Sequence, residues 1–98
     1  MALMDLTASE VLDALSSKEL SAAELADAVV TRANETDSLG ALAAFDPDAY
    51  LATAKNSDQK RARGEAGVLE GIPLVLKDNI DTNNLPTTGG TGALAGKV

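Results

Sequence analysis

The chain has 98 residues, 45% of them apolar but with aromatics only at Phe45 and Tyr50, and a net charge of -7 from 15 acidic against 8 basic residues. That length admits one small domain or part of a larger one, and the mainly small aliphatic side chains bury little area each, so a robust independent core is not expected. The acidic balance argues against nucleic acid or anionic membrane as partners, and the absence of Cys and His excludes disulfides, thiol chemistry, zinc enzymes and His-based triads within the chain.

The first residues, Met1 to Leu6, include Asp5 and lack both a cationic region and a sustained apolar run. No later stretch approaches the ~20 apolar residues of a membrane span, so a soluble, cytoplasmic protein is expected. Thr7-Ala-Ser-Glu10 reads as a capping box that opens a short helix with Val11, Leu12 and Leu15 inward, interrupted at Ser16 and Ser17. The signal recurs at Ser21-Ala-Ala-Glu24, ahead of a longer helix to about Glu35 with Leu25, Ala28 and Val29 as its apolar stripe, and the two helices are expected to pack as a hairpin. Asn34 to Gly40 is turn-prone, and Ala41 to Phe45, too short for a typical helix, is predicted as an interior strand. Asp46-Pro47 supplies an N-cap and a proline at the first helical position of a third helix through about Arg61, with a thin apolar face of Tyr50, Leu51 and Ala54. Lys60, Arg61 and Arg63 read as its solvated end, favourable with the helix dipole. Gly71 to Leu76 is the most apolar run and predicts a short buried strand, after which the chain is polar, glycine-rich loop. Helix, helix, strand, helix, strand implies an α/β layered arrangement whose sheet needs more strands than these two.

Lys77 follows that strand and precedes Asp78-Asn-Ile-Asp81, which places its ammonium at a strand end, half enclosed by protein. Burial disfavours the charged form of a lysine, as a lysine base requires; the alternative is a solvated lysine paired with Asp78 or Asp81. Asp78 and Asp81 fall short of a calcium-loop pattern and are expected to hydrogen-bond the turn after the strand. For Thr87 to Gly90 two readings stand side by side, a flexible loop bordering a cleft and an ordinary turn whose glycines supply positive φ. Gly89-Gly-Thr-Gly92 lacks the lysine and spacing of a phosphate cradle.

The string from Leu69 through Gly71-Ile-Pro73 and Lys77-Asp78-Asn, continuing to Pro86-Thr-Thr88, Gly90 and Thr91, resembles the amidase-signature family. The upstream helices fit as well, including the Ala54 to Asp58 spacing, although the specific part is Gly71 to Leu94. Glu70 and Gly89 depart from the residues commonest at their positions in that family. The resemblance implies a layered α/β/α fold of which this chain supplies the amino-terminal helices and first strands. Residues 1–98 would form the amino-terminal part of a single domain, with 1–63 a helical region carrying one strand and 64–98 the lysine strand and Gly/Thr loop.

The resemblance further implies hydrolysis of a linear amide C–N bond by a Ser, cis-Ser, Lys triad, with Lys77 as the base. Thr88, Gly89 and Gly90 would border the substrate. No cofactor and no metal are implied. Ser9, Ser16, Ser17, Ser21, Ser38 and Ser57 are expected at caps, turns or helix surfaces, so the nucleophile, the bridging serine and the oxyanion donors would lie past Val98 and this chain alone would be inactive. The implied partners are a small-molecule amide, with the loop leaning towards the indoleacetamide and mandelamide branch, and the remainder of the domain; a homo-oligomer is left open. Two other readings are a fragment or interaction module docking on a complementary chain, and an amidase subunit releasing ammonia from glutamine within a transamidating complex.

Overall fold

In the computed structural model, residues 3–94 are described; residues 1–2 and 95–98, the ends of the expected 1–98 unit, lie outside them. Among the described residues three α-helices account for the regular structure, α1 (Ala8–Ser17), α2 (Ala22–Glu35) and α3 (Pro47–Ala62), with single 3-10 turns at Leu3–Asp5, Asp37–Leu39 and Gly92–Leu94.

Both capping boxes form. Glu10 donates its backbone N–H to the Thr7 hydroxyl at 3.1 Å while the Thr7 N–H reaches the Glu10 carboxylate at 2.9 Å. Ser21 and Glu24 repeat the exchange at the head of α2. Helix α1 ends at Lys18, which adopts a left-handed backbone with φ of 64°, so that Glu19 and Leu20 fold back on the Ala14 carbonyl at 3.0 and 3.3 Å. That reversal drives Leu20 into the core beside Val11 and Leu15. Asp46 caps α3 through the Ala49 N–H, with Pro47 inside the first turn, as its sequence predicts.

The core consists of Val11, Leu15, Leu20, Ala22, Leu25, Ala26 and Ala54, with Tyr50, Leu51 and Ile72 packed against it; Leu15 and Leu25 are its fully buried large side chains. The expected hairpin of α1 and α2 is replaced by a closer pairing of α2 with α3. The reason lies in side-chain size. Ala22, Ala26 and Ala54 are all buried, and small residues let two helix backbones approach. Helix α1 instead contributes Val11 and Leu15 from the side.

Neither predicted strand forms, and among the described residues there is no β-structure. Residues 41–45 run irregularly between the Asp37–Leu39 turn and α3, with Ala41, Leu42 and Ala43 exposed rather than interior and Phe45 stacked obliquely on Tyr50 at 5.9 Å between ring centroids. Residues 72–76 form no ladder, and Leu74 and Val75 are 79% and 75% exposed. A strand is defined by backbone hydrogen bonds to a neighbour, and among the described residues no segment pairs with either run.

Candidate functional site

Asp58, on α3, places both carboxylate oxygens on the amino terminus of α2, accepting from the Ala22 N–H at 2.7 Å and the Ala23 N–H at 3.0 Å. With Ser21 taking the Glu24 N–H and Glu24 taking the Ser21 N–H, every amide left without an intrahelical acceptor at that terminus is satisfied. The Ala54 to Asp58 spacing thus has a structural cause: Ala54 makes room for α2 and Asp58, one turn on, fastens it.

The next turn of the same helix face holds the segment that leads to Lys77. Ser57 is buried, not on the helix surface as expected, and its hydroxyl donates to Glu70 Oε2 at 2.6 Å. Arg61 Nη2 donates to the Glu70 carbonyl at 2.9 Å, so Arg61 is partly buried structure rather than a solvated helix end. Arg63 keeps the exposed role, pairing with Glu65 at 3.2 Å. The Ser57 hydroxyl, above all, holds the Glu70 carboxyl below the usual range, with the Gly67 backbone and the charges of Lys60 and Arg61 assisting, while partial burial opposes them. Gly71 then turns the chain at φ of 90°, and a Cβ there would stand 3.0 Å from Leu15 Cδ1, so the segment enters the core at a point only glycine fits. Ile72 completes the contact.

Beyond Ile72 the chain leaves the core, and Lys77 is exposed rather than half enclosed at a strand end. The enclosure expected from sequence depended on a sheet that these residues do not build among themselves. What is organised is the backbone around the lysine. The Lys77 carbonyl accepts the Ile80 N–H at 3.0 Å, and the Asp78 carbonyl accepts the Gly89 N–H at 2.8 Å.

Asp78 does not serve the turn immediately after it, as expected. It reaches Thr88, accepting the backbone N–H on Oδ1 at 2.9 Å and the hydroxyl on Oδ2. The Thr88 side chain, the Thr88 backbone and, less, the Gly90 backbone hold the Asp78 carboxyl below its ordinary value against a modest effect of burial. Thr87 is buried and donates its hydroxyl to the Ile80 carbonyl at 3.3 Å, and Thr88 Oγ1 accepts the Gly90 N–H at 3.2 Å. Gly89 and Gly90 both have positive φ, as a glycine pair in a turn predicts. Lys77, Thr88, Gly89 and Gly90, singled out separately in the sequence, are therefore brought into one local unit by Asp78. Among the described residues there is no group of three or more acidic, His or Cys side chains placed to hold a metal.

Sequence reasoning missed the Ser57–Glu70 pair, the Arg61 bond and the Asp78–Thr88 contact. The signal for the first two was the stripe Tyr50, Ala54, Ser57, Arg61, which repeats at helical spacing and continues the apolar face with small and polar residues. No local pattern announces the third.

A family model described as Amidase matches residues 24–98, taking in most of α2, all of α3, the lysine segment and the glycine-rich loop. A glutamyl-tRNA(Gln) amidotransferase subunit of Chloroflexus aggregans is 44% identical over 93 residues, covering 93% of this chain and 19% of its own length. The protein of the same name from Methylocella silvestris is 43% identical over 94 residues, 96% of this chain and 19% of its own length. That from Beijerinckia indica is 45% identical over 86 residues, 88% of this chain and 17% of its own length. The chain thus spans about a fifth of the length of the curated relatives it matches. No solved structure matches it.

Proposed function

This chain belongs to the amidase-signature family, and we propose on that footing that it is the lysine-bearing segment of a protein that hydrolyses a linear amide, with Lys77 as general base. In the mechanism proposed, the lysine amine takes a proton from a bridging cis-serine, which takes one from a nucleophilic serine as that serine attacks the amide carbonyl. The serines of this chain sit on helices α1 and α3, at the head of α2 and in the Asp37–Leu39 turn, away from the loop around Lys77, so the proposal assigns both hydroxyls to the remainder of the domain. Thr88, Gly89 and Gly90 are proposed to border the substrate. Residues 1–98 would be the amino-terminal part of one α/β/α domain, in which 72–76 becomes a strand once neighbouring strands lie beside it. The exposure of Leu74, Val75 and Leu76 supports that completion, because an apolar run without a ladder offers both side chains and backbone groups to a partner strand.

The observation that carries the reading is the family match across Lys77 and its loop. The decisive experiment replaces Lys77 by Ala in the full-length protein. Amide turnover should be lost while the thermal transition is retained, and near-normal kcat would remove Lys77 from the chemistry.

The names of the relatives favour one substrate class over the indoleacetamide-like branch suggested by the loop. In this reading the amide is that of glutamine, and the ammonia released passes to a partner within an amidotransferase. The charge of -7 leaves any contact with tRNA to other parts of such an assembly. Glutaminase activity that depends on a second subunit would support this substrate, and turnover of arylacetamides by the isolated full-length protein would replace it.

A further inference from the structure

We propose that Asp78 is a positioning residue which, by gripping Thr88, fastens the glycine-rich loop to the lysine segment so that Lys77 and the loop are held as one body. The inference rests on Lys77 being the base and adds to it a device that sets where the base stands. Neither residues 77–80 nor 87–90 belong to a helix or a paired strand, so no ladder holds the two runs together. Their mutual placement comes instead from side-chain and turn hydrogen bonds spanning ten residues, with both oxygens of the Asp78 carboxylate on Thr88 and the Asp78 carbonyl on the Gly89 N–H. The buried Thr87 adds a parallel tie to the Ile80 carbonyl. Hydrogen bonds to a carboxylate are shorter and stronger than neutral ones, and a two-oxygen grip fixes direction as well as distance. Because Asp78 is the next residue after Lys77, immobilising its carboxylate and carbonyl leaves the lysine little backbone freedom. The bond from the Ile80 N–H to the Lys77 carbonyl removes more. The carboxylate is taken up by Thr88, so Asp78 acts on the base through the backbone. A base displaced by about 1 Å can cost on the order of a hundredfold in rate, which is the scale on which such a grip acts.

The test compares three substitutions in the full-length enzyme with Lys77→Ala as reference. Thr88→Val keeps the shape of the side chain and deletes its hydroxyl, Thr88→Ser keeps the hydroxyl, and Asp78→Ala removes the grip altogether. Thr88→Val and Asp78→Ala should lower kcat by about tenfold or more with KM moving less than about threefold, whereas Thr88→Ser, which keeps the hydroxyl, should lose markedly less kcat than Thr88→Val. Melting temperatures identify any variant that is merely unfolded, and Thr88→Val, as the milder change, decides the matter if Asp78→Ala does not fold. Parent kcat in Thr88→Val, a rise confined to KM, or loss in Thr88→Ser equal to that in Thr88→Val would each overturn the proposal. Retained turnover in Lys77→Ala would instead overturn the underlying assignment of the base, so the two failures are distinct.

Discussion

Gly71 shows most directly how one residue sets the course of the chain towards Lys77. Its φ of 90° is open to glycine and strained for other residues, and the space where a Cβ would stand is held by Leu15 Cδ1 at 3.0 Å and Ala22 Cβ at 3.4 Å. Gly71→Ala therefore meets backbone strain and a fully buried neighbour together, with a cost of about 1–3 kcal/mol. Urea denaturation should show an unfolding free energy lowered by about that amount, and an unchanged midpoint would mean the segment re-routes without loss. Gly89 and Gly90 differ in kind, since nothing lies within 4 Å of their missing side chains, and there the constraint is the turn geometry alone.

At the level of elements, one carboxylate reinforces the small-residue contact that pairs α2 with α3. Asp58 closes the two amides at the head of α2 from a helix 35 and 36 residues away in sequence, whereas Ser21 closes one from next door. Removing Asp58 leaves two partly buried N–H groups without their acceptor and deletes a negative charge at the positive end of a helix, for about 2 kcal/mol. Asp58→Ala should thus destabilise more than Ser21→Ala, whose expected cost is about 1 kcal/mol. Equal effects in thermal unfolding would reduce Asp58 to an ordinary surface cap. The same reasoning explains why α3, with its thin apolar face, still docks: the amides accepted by Asp58 and the bonds Ser57 and Arg61 donate to Glu70 supplement the contacts of Tyr50, Leu51 and Ala54.

Over the whole molecule, the helices have a shared core and the segment after Gly71 has little. The accessible surface is 6734 Å², against about 5,200 Å² for a compact globular chain of this mass, and the radius of gyration is 14.8 Å, against about 13 Å for a compact chain of this length. Large apolar side chains are among what is exposed, with Val68 at 89% and Leu69 at 68% beside the Leu74 to Leu76 run. What ties this half to itself and to α3 is largely carboxylate hydrogen bonding through Glu70 and Asp78. Both carboxyls are held below their ordinary values of 4.5 and 3.8. A depressed carboxyl contributes stability that is present above its unfolded value and lost as the pH falls through the folded one. Protection of the Thr88 and Gly89 amides, relative to their intrinsic exchange rates, should therefore fall below about pH 4 before α1 and α2 lose theirs. Glu70→Gln should make the stability of the segment around Gly71 less sensitive to acid. Simultaneous loss of protection throughout would show that the two halves unfold as one.

The three helices, their capping residues and their boundaries within a residue or two were legible in the sequence, because a capping box, a proline in the first turn and an apolar stripe act over three or four neighbouring residues. Lys77 and the Thr87 to Gly90 loop were legible as a motif, and the family match covers them. The strands at 41–45 and 72–76 were not, since an apolar run specifies a strand only when another lies beside it, and that partner is not encoded in the run. Tertiary structure alone decided that Ser57 is buried against Glu70, that Asp58 caps a helix other than its own, and that Asp78 holds Thr88. Each joins residues 10 to 36 apart, and such a bond exists only after packing has brought its two ends within 3 Å.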